Sequence, residues 1–182
     1  MKNLLTTIFT AFLTLLAAAQ GESKIMNAGI GPADFAIDKD FFEVEDFIIK
    51  SSRIGGDDHP SSTYKINLKR AHLEEYYGFK VDSGYVQFNK DYSSDSDEIL
   101  EDVYTVILYL EKPSDSKMKY ELRSQLALEN GKAEEMWTAD YQTLIGLKWW
   151  GDVTILDINL GLDLQTGREL DYYMVSYSQA YE

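Results

Sequence analysis

The sequence predicts an α+β domain in which a mainly antiparallel sheet carries one packed helix. Several segments alternate apolar and polar residues, which is the pattern of a half-buried strand. Only one segment combines a helical period of about 3.6 residues with start and stop signals at its ends. No linker or shift in composition divides the chain, so we expect a single globular domain over residues 35–182. A closed β-barrel is the alternative architecture.

The first 19 residues have the pattern of a secretory signal peptide. Lys2 precedes an apolar run at 4–16, and small residues follow at 17–19. The run is shorter than the roughly 20 apolar residues that span a bilayer. We therefore expect cleavage after Ala19 and a flexible lead-in over 20–34. The mature chain left after cleavage would be a secreted or periplasmic protein that is not embedded in a membrane.

The composition excludes several kinds of site. The chain contains no cysteine, which rules out disulfides, thiolate metal sites and thiol nucleophiles. Its formal net charge of −14 disfavours nucleic acid as a partner, because nucleic-acid binding depends on basic side chains that contact phosphates. The same charge is compatible with a cationic partner or divalent ions and selects neither.

The first half of the domain is predicted to form strands and turns. The segment 41–52 fits both a helical and a strand period. Alternation over 64–68 indicates a strand, and 71–78 predicts a short helical turn closed by glycine. The sequence DSG at 82–84 separates two apolar runs, so we expect a hairpin turn there.

The segment 102–112 is predicted to be the central strand. Apolar side chains occupy both of its faces, which is typical of a strand that is covered on both sides. One face carries Val103, Ile107 and Tyr109, and the other carries Tyr104, Val106, Leu108 and Leu110.

The clearest helix is predicted at about 114–130. Pro113 precedes it, serines at 114 and 116 supply N-cap oxygens, and Gly131 follows as a C-terminal stop. An apolar stripe with a spacing of four residues would pack on the sheet. The stripe consists of Met118, Leu122 and Leu126.

The last third predicts three strands, at 143–150, 153–164 and 170–178. In the middle strand the even-numbered side chains are aliphatic and most odd-numbered ones are polar. Because successive side chains of a strand point to opposite faces, we expect the aliphatic row in the core. This row comprises Leu156, Ile158, Leu160, Leu162 and Leu164.

The same parity predicts a ligand site on the outer face of these strands. Trp149 would enter the core and Trp150 would face outward. If the three strands are neighbours, Trp150 shares its face with Tyr172, Asp157 and Asn159. Aromatic rings beside acids and amides suit a sugar, because a ring has an apolar body and the polar groups bond hydroxyls. We therefore predict that these four outer-face residues bind a glycan or a protein partner.

The absence of strong catalytic patterns favours a non-catalytic, exported binding domain. Neither G-x-S-x-G nor H-E-x-x-H occurs in the chain. One alternative is a small secreted polysaccharide hydrolase, in which Glu43 with Glu45, or Asp157 with a neighbour, would lie about 5–10 Å apart. A barrel that encloses an apolar ligand is the other alternative.

No cofactor is predicted, although one acidic segment has oxygen ligands with the spacing of a calcium loop. The oxygens fall at loop positions one, three, five, seven and twelve. Ser96 replaces the usual glycine at position six, and no strong helix flanks the segment, so we expect a solvated run of charge. The calcium alternative would use Asp91, Asp95, Asp97 and Asp102, with Ser93 at position three.

Overall fold

The computed structural model describes residues 31–32, 35–55, 61–91, 100–163 and 165–180. The predicted signal peptide at 1–19 lies outside these residues, as does almost all of the lead-in at 20–34. In the described part of the chain, no helix combines the length and the apolar character needed to cross a membrane.

The described elements are two α-helices, a 3₁₀ turn and nine strands, numbered here in chain order. The helices are α1 (Phe41–Val44) and α2 (Met118–Asn130), and the 3₁₀ turn is Glu45–Phe47. The strands are β1 (Ile48–Ile54), β2 (Ser61–Ile66), β3 (Glu75–Tyr76), β4 (Phe79–Asp91), β5 (Leu100–Glu111), β6 (Glu134–Trp137), β7 (Leu144–Trp150), β8 (Thr154–Asn159) and β9 (Tyr172–Gln179).

The strands form one antiparallel sheet in the order β1-β2-β4-β5-β9-β8-β7-β6, and β3 pairs with β4 beside this path. Among the described residues, the end strands β1 and β6 do not pair with each other. The sheet is therefore open, and the predicted α+β architecture is confirmed over the alternative of a closed barrel.

The ambiguous segment 41–52 contains both of the structures that its pattern allowed. Asp40 begins α1 with a capping box: its carboxylate accepts from the Phe42 N–H at 2.8 Å, and Glu43 accepts from the Asp40 N–H at 3.1 Å. The helix lasts one turn and the chain then extends into β1. The segment therefore fits both periods because it begins as a helix and continues as a strand.

The predicted helical turn at 71–78 is wrong in its second half, where β3 and β4 form a tight hairpin. Tyr76 pairs with Phe79, and the two loop residues, Tyr77 and Gly78, both have positive φ, 49° and 81°. Two such residues fit the type I′ turn, whose twist matches that of antiparallel strands. The Tyr77 hydroxyl donates to Glu129 at 2.6 Å and so holds this turn against the end of α2.

The predicted hairpin at 82–84 is also wrong, because β4 runs through this segment without a break. The register with β5 shifts between Val81 and Ser83, so the extra residue forms a β-bulge instead of a turn. Gly84 then lies opposite Leu108, where an added Cβ would stand 3.0 Å from a leucine methyl. A glycine that looked like a turn residue in fact permits close packing in the core.

Strand β5 is central in the sheet, as predicted, but it is not covered on both sides. Val106, Leu108 and Leu110 are fully buried on the core face, whereas Ile107 and Tyr109 on the other face are half-buried. The outer face of β5 therefore carries aromatic and aliphatic surface that contacts solvent.

A second bulge explains why Val103 does not follow the predicted parity. Gln87 pairs with Thr105 and the next residue, Phe88, pairs with Val103, so Tyr104 is the extra residue in β5. The bulge turns Val103 onto the core face, where it is 1% exposed.

Helix α2 ends where the sequence predicts and begins later. Gly131 adopts φ 78° and its N–H bonds to the Ala127 carbonyl at 3.0 Å. The N-terminal serines do not cap the helix. Asp115 instead accepts from the Lys117 N–H at 2.8 Å, which forms a turn that delays the helix to Met118. Leu122 and Leu126 of the predicted stripe are fully buried and Met118 packs against the same core.

The predicted meander of the last three strands is present, since β8 lies between β7 and β9. Leu156, Ile158 and Leu160 enter the core as expected. Strand β8 stops at Asn159, so Leu162 lies beyond it and is half-buried, and Leu164 lies outside the described residues.

Tyr76 and Tyr177 form a buried pair of hydroxyl groups. Their oxygens are 2.8 Å apart, and each side chain is 6% exposed. Burial raises the pKa of Tyr177 to about 12 and raises that of Tyr76 well above its ordinary value. The folded protein thus keeps protons that unfolded tyrosines release above pH about 10, so stability should fall as the pH rises from about 10 towards 12.

Tyr177→Phe should lower the free energy of unfolding by about 1–3 kcal/mol at neutral pH, because the buried Tyr76 hydroxyl loses its partner. The variant should also lose stability less steeply above pH about 10, since one raised tyrosine pKa is gone. Urea denaturation at several pH values measures both effects. Tyr141→Phe, at a side chain that is 81% exposed, is the control. Equal stability of the two variants at neutral pH would contradict the assigned role of the pair.

Candidate functional site

The outer face of the sheet contains a depression of about 700 Å³. It lies across β2, β4, β5 and β9. Most of its lining residues are on the side opposite the buried valines and leucines of β5, and the buried Leu110 also borders it. Three tyrosines from three strands line it, with Ile107 and Gln87 beside them. The three are Tyr85 from β4, Tyr109 from β5 and Tyr172 from β9, and we call them the tyrosine triad.

The rings of the triad support one another edge to face. The Tyr109 ring lies 5.9 Å from Tyr85 at an interplanar angle of 89° and 5.1 Å from Tyr172 at 78°. The register explains this geometry, because Tyr109 pairs directly with Ser83 and Met174 and is therefore diagonal to both tyrosines. Tyr109 is the centre of a preformed aromatic wall, and Tyr85 and Tyr172 stand on either side of it.

The electrostatics of the depression favour a neutral or cationic ligand. Burial raises the pKa of Tyr109, and the neighbouring Tyr172 and Tyr85 raise it further, so its hydroxyl stays protonated and able to donate. Three acidic residues, Asp82, Glu111 and Asp171, are among those that line the depression. The described residues that line the depression include no lysine, arginine or histidine.

The chain matches no protein-family model, no curated protein and no solved structure.

Of the four residues predicted to bind a ligand, only Tyr172 lines the depression. Trp150 is on the same face but pairs with Ile155, which pairs in turn with Ser178 of β9. The stretch of β9 from Tyr172 to Ser178 spans roughly 20 Å. Trp150 is level with Ser178, so it lies about that far from Tyr172 along the strand direction. The prediction placed these residues on one face correctly, and the structure spreads them along it.

Trp150 belongs to a small polar cluster near the end strand β6. Its Nε1 donates to Glu134 at 2.8 Å, and the Lys148 ammonium lies 4.1 Å from its ring centroid. Lys148 also pairs with Asp157 at 3.5 Å. These contacts hold an indole that is 54% exposed in one orientation.

Asn159 forms the turn that follows β8. Its side-chain oxygen accepts from the N–H groups of Gly161 and Leu162, both at 3.0 Å, and its amide donates to the Leu162 carbonyl at 2.6 Å. These three hydrogen bonds stabilise the turn, so a structural role accounts for Asn159 at this position.

The carboxylates proposed for hydrolysis are engaged in local contacts. Glu43 caps α1, Glu45 pairs with Lys50, and Asp157 pairs with Lys148. Where the pKa of a described carboxyl group is displaced, it is lowered. A hydrogen bond from Thr138 lowers the pKa of Asp140, one from Thr166 lowers that of Asp163, and a hydrogen bond from Lys112 lowers that of Glu169. A general acid needs the opposite displacement.

The calcium alternative falls mainly on residues outside the described part of the chain. Asp95 and Asp97 lie in 92–99, which is not described, whereas Asp91 ends β4 and Asp102 lies in β5. Within the described ranges, no group of three or more acidic or histidine side chains is placed to share a metal ion.

Sequence reasoning missed Tyr85 and Tyr109 as site residues. Tyr109 lies in a strand that is predicted to be covered on both sides, and Tyr85 follows a predicted turn, so the sequence does not predict that either side chain faces solvent. Their proximity depends on the pairing of β4 with β5 and on the bulge before Ser83. The available signal is the second apolar face of β5, which the sequence predicts to be covered and which is half-exposed in the structure.

Proposed function

We propose that this protein is an exported, non-catalytic binding module that holds a neutral carbohydrate against the tyrosine triad. The observation that carries the proposal is the preformed depression on the outer face, with Tyr109 at its centre. Export is proposed from the N-terminal pattern of a charged residue, an apolar run and small residues.

The size and chemistry of the depression support a small ligand. Its volume of about 700 Å³ lies within the range of about 300–1,000 Å³ that is typical of ligand sites. Tyrosine rings provide apolar area at low entropic cost, and their hydroxyls hydrogen-bond to polar ligands. Gln87 and Thr63 add neutral donors and acceptors. A sugar presents the matching combination of apolar C–H faces and hydroxyl groups.

A protein partner is the second candidate, and the Trp150 cluster favours it. Tryptophan is enriched among the residues that contribute most to protein–protein binding. Glu134 and Lys148 fix the orientation of this exposed indole, which reduces the entropy lost when a partner covers it.

Hydrolysis of a polysaccharide is a weaker proposal. The depression brings together Asp82, Glu111 and Asp171, of which Glu111 is paired with Lys80. A general acid needs a carboxyl group with a raised pKa. The described carboxyl groups with a displaced pKa, such as Asp140 and Asp163, have a lowered one and lie outside the depression. A barrel that encloses an apolar ligand is not supported, because the sheet is open.

A panel of immobilised oligosaccharides tests the proposal. The purified protein should bind neutral glycans saturably, without a requirement for calcium, and free oligosaccharide should compete. Uronic-acid and sulfated glycans should bind more weakly, because three acidic residues line the depression. Binding only to anionic glycans, or binding that Trp150→Ala abolishes and Tyr109→Ala leaves intact, would contradict the proposed site.

A further inference from the structure

A second pocket, of about 500 Å³, lies between the start of α2 and the turns that follow β8. Lys112 and Lys119 both line it, together with hydroxyl groups of Ser114, Ser116, Thr138 and Thr143. We propose that this pocket binds a small molecule through an anionic oxygen group, a phosphate or a carboxylate, held between Lys112 and Lys119.

The pocket is separate from the tyrosine depression. Tyr173 lines the pocket, and its neighbour Tyr172 lines the depression. Consecutive residues of a strand point to opposite faces, so the two sites lie on opposite sides of β9. The inference therefore stands independently of the proposed carbohydrate binding.

Lys119 has more hydrogen-bond donors left for a ligand than Lys112 has, since Lys112 is paired with Glu169. The Lys119 side chain is half-buried, and its ammonium donates to the Leu144 carbonyl at 3.3 Å. It forms no ion pair with any residue that the structure describes. The ammonium also lies 5.3 Å from the centroid of the Tyr120 ring. An ammonium group has three hydrogens to donate, so these contacts leave donors for a ligand.

The Lys112 ammonium donates to the Leu170 carbonyl at 3.3 Å and forms an ion pair with the Glu169 carboxylate. These two contacts keep the ammonium at the pocket. Glu169 is the one acidic residue among the described residues that line the pocket, and its side chain is 77% exposed. Exposed ion pairs contribute little net stability. A ligand anion can therefore replace Glu169 at low cost, and the glutamate can move into solvent.

Two lysines and one glutamate line the pocket, so its lining residues carry a formal charge of +1 within a chain of formal net charge −14. Burial lowers the pKa of Lys119, and the charge of Lys112 lowers it further. Both effects disfavour the protonated ammonium, and a bound anion would offset them. The volume exceeds that of a single oxyanion, which leaves room for the rest of a small organic molecule.

Thermal unfolding with inorganic phosphate and with acetate, each at ionic strength matched with chloride, tests the site. A ligand that binds only the folded state raises the unfolding temperature with its concentration, and calorimetric titration gives its affinity. Saturable binding of phosphate, of acetate or of both supports the pocket and shows which group it accepts. Saturation by neither would overturn the proposal.

Variants locate the binding. Lys119→Met keeps the apolar stem and removes the charge, so it should weaken the affinity by about tenfold or more, whereas Lys119→Arg should retain most of it. Lys80→Met is the matched control, because Lys80 does not line the pocket and pairs with Glu111, which lines the tyrosine depression instead. Affinity that is unchanged when both Lys112 and Lys119 are methionine would also overturn the proposal. Tyr109→Ala should leave the phosphate response intact, which separates this site from the tyrosine depression.

Discussion

Replacing Trp149 with alanine should lower the free energy of unfolding by about 3–5 kcal/mol. The side chain is 3% exposed in the core on β7, and its Nε1 donates to the Gly131 carbonyl at 3.0 Å. The change would therefore open a large cavity and leave the carbonyl at the end of α2 without this donor. Urea denaturation followed by circular dichroism measures the loss.

The adjacent Trp150 provides a matched control within the same strand. Trp150→Ala removes an indole that is 54% exposed, an exposed hydrogen bond to Glu134 and a contact with Lys148. An exposed cation–π contact contributes about 0.5–1 kcal/mol, so the total loss should stay well below that of Trp149→Ala. Equal losses would contradict the assignment of the two tryptophans to opposite faces of β7.

Tyr109→Ala should weaken carbohydrate binding by about thirtyfold, which corresponds to the roughly 2 kcal/mol that defines a dominant contact residue. The change removes the central ring and takes away the edge-to-face support of Tyr85 and Tyr172. Calorimetric titration with a glycan identified in the panel gives the ratio of dissociation constants. The expected cost to stability is about 1–3 kcal/mol, because each aromatic pair contributes about 0.5–1.5 kcal/mol.

Tyr109→Phe separates stacking from hydrogen bonding at this position. It keeps the ring and its two neighbours, so stability should be close to that of the wild type. A ligand that bonds the Tyr109 hydroxyl should then lose about 0.5–1.5 kcal/mol of binding free energy, and one that only stacks should lose almost none. Binding by Tyr109→Ala that equals the wild type would remove the triad as the site.

Local patterns predicted which side of β7 and of β8 is buried. Trp149 and Leu156 enter the core, Trp150 faces outward, and α2 ends at Gly131, as the sequence indicates. The alternation of side chains and the conformational freedom of glycine are properties of a few consecutive residues. They can therefore be read without knowledge of any distant contact.

The errors occurred where a distant partner changed a local preference. The DSG segment has the composition of a turn, yet it pairs with β5 and forms part of a continuous strand. Gly84 lies there because its lack of a side chain lets Leu108 pack closely. The bulge at Tyr104 reverses the parity of Val103 in the same way. Strand β6, Glu134–Trp137, was not predicted, because four residues beginning with two glutamates carry no clear alternation.

The candidate site shows the same division between local and distant information. The sequence by itself determined that Tyr172 shares its face with Trp150, because strand parity is local. It did not show that Tyr85 and Tyr109 lie on that face with Tyr172. Only the tertiary structure decided that they touch, through the strand order β4-β5-β9 and the register of each pair. Register and strand order arise from the packing of the whole core, which joins segments that are far apart in the chain. For that reason Tyr172 meets Tyr109, and Trp150 on the same face does not.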